Sequence, residues 1–125
     1  MFSKNYIVDN QHLASHVGSG ELNILSTPSL LAFIENTCML KINENITSDQ
    51  TSLGVKVELK HLKPSLENQE VECYIQNVTN QDNKWLFDIE VKSKDKLIAV
   101  CQHTRYIVNK KEFKNKINLD DNDKF

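Results

Sequence analysis

The sequence predicts an α+β fold in which one long buried helix is wrapped by an antiparallel β-sheet, and three observations carry that expectation. Residues 28–40 place apolar side chains on nearly every helical face, the pattern of a helix covered all round rather than along one stripe. Four later segments alternate apolar and polar residues with the period of two that marks half-buried strands. The polar turns between the last three are too short for crossovers, so those strands form an antiparallel meander that the first can join.

The chain has 125 residues, enough for one domain and no second. That domain is expected over residues 1–116, with 117–125 as a charged, frayed C-terminal tail. A formal charge of −2 and the lack of any Lys/Arg cluster interleaved with aromatics argue against nucleic acid. No signal core and no window of membrane-spanning length are present, so a soluble, cytoplasmic protein with no membrane partner is expected. Cys38, Cys73 and Cys101 stand singly in apolar segments without metal-type spacing and read as reduced, buried thiols. His12 and His16, four apart, are assigned no metal, and no cofactor is called for.

In chain order, Tyr6-Ile7-Val8 suggests an early strand, and Gly18-Ser19-Gly20 a turn. Glu21–Leu25 is an extended lead into the helix. Thr27 is expected as the N-cap and Pro28 as the first helical residue, where a missing N–H costs nothing. Glu35 is the only charge between Pro28 and Leu40. A carboxylate there is expensive unless paired, hydrogen-bonded or protonated, which marks it for function.

Thr51–Leu62 reads as a strand with Leu53, Val55, Val57 and Leu59 on one face and His61 continuing it. Gly54 interrupts it, as glycine does where a bulge or a close approach is needed, and Pro64 ends it. The later strands are Glu70–Val78, Lys84–Lys92 and Leu97–Val108. Their inward residues are Val71, Cys73 and Ile75, then Trp85, Phe87, Ile89 and Val91. In the last strand His103 and Arg105 share a face with Ala99 and Cys101.

One buried helix followed by such a sheet is the arrangement of the hotdog fold. Leu25-Ser26-Thr27-Pro28-Ser29-Leu30-Leu31, Glu35, Thr51-Ser52-Leu53-Gly54-Val55, His61-Leu62-Lys63-Pro64 and His103-Thr104-Arg105, in that order and spacing, resemble the hotdog thioesterase family typified by the fluoroacetyl-CoA thioesterase. The resemblance covers residues 20–113. It implies a homodimer that binds acyl-CoA between subunits and hydrolyses its thioester. Thr27, Glu35 and His61 would be the catalytic set, with Gly54 and Arg105 lining the substrate site. The residues suit that chemistry, which needs an acid, a base and donors for a developing oxyanion. A non-catalytic acyl-CoA or small-ligand binding module, or a structural protein with a buried polar network, are the alternatives. Fluoroacetyl-specific members close the pocket with a phenylalanine-bearing lid; between Phe2 and Phe33 this chain has no phenylalanine, so ordinary acyl groups are expected as substrates.

Overall fold

The computed structural model describes residues 2–123. Its elements are β1 (Ser3–Ile7), a 3₁₀ turn (Asn10–His12), α1 (Ala14–Val17), α2 (Thr27–Asn43), β2 (Gln50–His61), β3 (Glu70–Gln81), β4 (Lys84–Ser93), β5 (Lys96–Asn109) and α3 (Lys110–Asp123). The five strands form one antiparallel sheet in the order β1-β3-β4-β5-β2, so β1 and β2 are its edges.

Helix α2 starts one residue earlier than expected. Ser26 is the N-cap, with its Oγ accepting from Ser29 N at 3.1 Å, and Thr27 is the first helical residue. Both are hydroxyl residues with good capping chemistry, but only Ser26 is turned inward, where it is 2% exposed. The helix buries Leu30, Phe33, Ile34, Thr37, Cys38 and Ile42 against the sheet. Facing them are Val71, Cys73 and Ile75 of β3, Phe87, Ile89 and Val91 of β4, and Ala99 and Cys101 of β5. These inward sets follow the sequence alternation, except that Trp85 is only partly buried at the sheet end. Leu31, Met39 and Leu40, on the other side of α2, remain half-exposed. Strand β1 adds an aromatic lid over the helix, with Tyr6 stacked on Phe33 at 4.5 Å and its hydroxyl 2.8 Å from Thr37 Oγ1.

Strand β2 departs from the expected alternation. Gly54 pairs with Arg105 and Lys56 with Thr104, leaving Val55 as a bulge. One extra residue reverses the facing of everything on one side of it. Ser52 and Gly54 therefore share a face with Val57, Leu59 and His61, whereas Leu53 pairs with outward-facing Tyr106. Val55 is 55% exposed. The three cysteines are buried and free; burial pushes the Cys73 thiol up to about 12 and Cys101 to about 11, so both stay protonated.

The charged run after β5 is helical as α3. Asn109 Oδ1 accepts from Glu112 N at 3.0 Å, and Lys110 N donates to Asp49 O at 2.8 Å, which anchors the first turn. Lys124 and Phe125 lie outside the described residues. No helix among the described residues is long and apolar enough to cross a membrane.

Candidate active site

The segment before α2 is tied to the segment after β2. Leu25 N donates to Ser65 O at 2.8 Å and Ile24 bridges Leu66, while Leu62 N and Lys63 N both reach Ile98 O. These bonds bring the first turn of α2 to the end of β2. Because Ser26 does the capping, the Thr27 hydroxyl is free for another partner, and it makes a 2.9 Å hydrogen bond with His61 Nδ1. His61 is half-buried, and burial lowers its pKa from the usual histidine value, with the nearby Lys63 backbone partly opposing. Its Nε2 is buried without a hydrogen-bond partner among the described residues. Beside the pair lies a cavity of about 260 Å³ lined by Ala14, Gly20, Leu22 and Ile24.

The second group forms where the middle of α2 crosses the bulge of β2. A Cβ on Gly54 would lie 2.8 Å from Glu35 Oε2, 3.0 Å from His103 Cε1 and 3.2 Å from Arg105 Nη1. Only glycine leaves room for that convergence. Glu35 is half-buried, and among the described residues it has no hydrogen bond and no ion pair within 4.0 Å. Arg105 is 6% exposed and held on three sides: Nε donates to Ser52 Oγ at 2.9 Å, Nη2 to Ser52 O at 3.0 Å, and Nη1 to His103 Nε2 at 3.1 Å. Burial works against the Arg105 charge, and nearby Glu35 supports it.

The structure thus brings the five sequence-predicted residues into two groups, Thr27 with His61 and Glu35 with Gly54 and Arg105. Thr27 and Glu35 are eight residues apart on one helix, a rise of about 12 Å. His61 and Gly54, seven apart on one strand, are separated by roughly 20 Å. Sequence reasoning passed over Ser52 and gave His103 no role; the signal was present in the period-two run Ala99, Cys101, His103, Arg105, which turns His103 inward beside Arg105. Among the described residues no group of three or more His, Cys, Asp or Glu is placed to hold a metal. His12, whose spacing from His16 drew attention, accepts from Asp9 N through Nδ1 and packs edge-on against Phe33.

Comparison with known proteins gives the same fold. A mutant of the fluoroacetyl-CoA-specific thioesterase FlK, in complex with fluoroacetate and CoA, superposes with a TM-score of 0.88 at 13% identity, covering 95% of this chain and 98% of that one. A Thermus thermophilus hypothetical protein of the thioesterase superfamily gives 0.84 at 16% identity, over 93% and 86% of the two chains. A hot-dog-like protein from Thermanaerovibrio acidaminovorans gives 0.78 at 14%, over 92% and 85%. A search of curated proteins finds no significant match. The family model of the fluoroacetyl-CoA-specific thioesterase FlK matches residues 8–111, which takes in both side-chain groups. The chain therefore belongs to the FlK thioesterase family and has the hotdog fold.

Proposed function

We propose that the protein is an acyl-CoA thioesterase that hydrolyses a short- or medium-chain acyl-CoA to CoA and a carboxylic acid. The observation that carries this reading is the Glu35 carboxylate, without an ion pair among the described residues and held over Gly54 beside a clamped Arg105. Water adds to the thioester carbonyl, its proton passes to a base, the C–S bond breaks and the CoA thiolate takes up a proton. Glu35 and His61 share the roles of base and acid, and the proton taken from the water is the one returned to the thiolate. Thr27 and Arg105 donate to oxygen as negative charge develops on it, and Gly54 leaves room for the carbonyl. His61, kept neutral by burial, is in the form able to take a proton at pH 7.

The two groups are too far apart in one chain to act on one carbonyl, and a homodimer reunites them. Strand β2 has an unpaired edge, with Val55 and Val57 55% and 40% exposed, and α2 keeps a half-exposed apolar side. Two-fold antiparallel pairing of the β2 edges, centred on Glu58 and with Val55 again left out of register as a bulge, sets His61 opposite Gly54 of the partner subunit. Each site then takes Thr27 and His61 from one chain and Glu35, Gly54 and Arg105 from the other. Thiol release from acetyl-, butyryl-, hexanoyl- and fluoroacetyl-CoA tests the reading. Turnover of at least one ordinary acyl-CoA is expected, and no release from any would overturn it.

A further inference from the structure

Arg105 is a buried cation whose direct partners among the described residues are neutral: the Ser52 hydroxyl, the Ser52 carbonyl and the His103 ring. The third contact is unusual in its demands. A guanidinium only donates, so His103 Nε2 must be an unprotonated acceptor. His103 Nδ1 lies 2.8 Å from the Lys56 carbonyl, which only accepts, so Nδ1 must carry the proton. These two neighbours fix both the tautomer and the ring orientation of a side chain that is 2% exposed. Lys56 is the residue directly after the Val55 bulge. The bulge that turns Gly54 inward therefore also presents the carbonyl that orients His103.

We propose that His103 is a positioning residue, which acts with Ser52 to aim the Arg105 guanidinium across Gly54 at the Glu35 carboxylate. The inference rests on the thioesterase reading for its effect on turnover and on the geometry alone for its effect on Arg105. Three of the five guanidinium N–H groups are consumed by the clamp. The remaining two, one on Nη1 and one on Nη2, are left for Glu35 and the substrate. Without the acceptor at Nε2, Nη1 loses its lateral anchor and the guanidinium can rotate about the Ser52 contacts. With His103 protonated, two donors and two positive charges would meet at 3.1 Å. The charged groups facing His103 are Arg105 from β5 and Glu35 from α2; burial first, then Arg105, lower its pKa, while the Lys56 carbonyl and Glu35 oppose.

Three variants and one spectrum test this on the full-length protein. His103→Gln keeps an acceptor near the Nε2 position, whereas His103→Asn keeps only the donor toward Lys56. The Gln variant should hold kcat/KM within about threefold of wild type, and Asn should lose about a hundredfold, the scale of a 1 Å misplacement. Because His103 acts through Arg105, His103→Asn combined with Arg105→Ala should be no worse than Arg105→Ala alone. Losses that multiply would show an independent role and overturn the proposal. The spectroscopic readout does not need turnover. Long-range ¹H–¹⁵N correlation should show His103 as the neutral Nδ1–H tautomer, and the Arg105 Nε–H signal should be slowly exchanging in wild type and Gln but not in Asn. If Asn fails to fold, Ser52→Ala, which removes the acceptor of Nε, should give the same loss of the Arg105 signal. An Nε2–H tautomer, or an Arg105 signal unchanged in Asn or in Ser52→Ala, would overturn the clamp whether or not thioesters are cleaved; an intact clamp with no turnover would overturn the thioesterase reading alone.

Discussion

Gly54→Ala separates the demands of folding from those of chemistry at this site. Among the described residues, only Gly18 is a glycine at positive φ, so alanine fits the Gly54 backbone and should gain about 0.4–1 kcal/mol by restricting the unfolded chain. Against that, its Cβ would stand 2.8 Å from Glu35 Oε2, 3.0 Å from His103 Cε1 and 3.2 Å from Arg105 Nη1. Arg105 is held by three hydrogen bonds and His103 by the Lys56 carbonyl, so neither yields easily. Glu35 has no such tether among the described residues and is the group that moves. Overpacking costs about 1–3 kcal/mol in a rigid core and less where a side-chain end can swing away. The two effects leave a net loss of roughly 0–2 kcal/mol, a shift of a few degrees in Tm. Displacing the carboxylate by about 1 Å should nevertheless lower kcat/KM about a hundredfold. Thermal unfolding and thiol release on the same preparation measure the split. Activity within threefold of wild type would refute the reasoning, because it would mean that Glu35 does not need its place over Gly54.

Glu35→Gln should cut kcat by about a hundredfold or more while costing about 1 kcal/mol or less, since no direct ion pair is broken among the described residues; a loss of 3–5 kcal/mol with turnover retained would assign Glu35 to the scaffold instead. Stability should rise with pH through the histidine range. The folded pKa values of His61 and His103 lie below the usual value, so unfolding takes up protons. Their contribution is complete above the unfolded pKa of about 6.5 and is lost as pH falls through the folded values. Urea unfolding between pH 5 and 8 reads this slope, and His103→Gln should reduce it. Lacking a phenylalanine between Phe2 and Phe33, the chain should discriminate fluoroacetyl- from acetyl-CoA by much less than a thousandfold in kcat/KM.

The helix and the last four strands were legible because each rests on local pattern, all-round apolarity or period-two alternation; Glu35 stood out as a charge in an apolar run, and the grouping of Thr27, His61, Gly54 and Arg105 with it came from the family resemblance. What escaped depends on contacts remote in sequence. Ser26 and Thr27 are equivalent as caps in sequence; in the fold Ser26 takes the cap and Thr27 meets His61, a partner 34 residues away. Gly54 marked a bulge or a close approach, but the apolar alternation runs smoothly through Val55, so the sequence did not show that Leu53 moves to the outer face and Ser52 and Gly54 to the inner one. The function of His103 depends on which nitrogen meets which neighbour, and these lie on β2 and β5. The first turn of α3 is held both by its local Asn109 cap and by the carbonyl of Asp49, and only the second contact is remote in sequence.

Subunit complementation asks directly whether thioester hydrolysis occurs at a site built from both groups. One chain carries Thr27→Ala and His61→Ala, the other Glu35→Gln, and the differently tagged chains are co-expressed and purified as a heterodimer. Each mutant homodimer should be inert. The heterodimer contains one site with every functional residue intact and should recover about half of the wild-type turnover per dimer. A heterodimer no more active than the two homodimers would contradict the account.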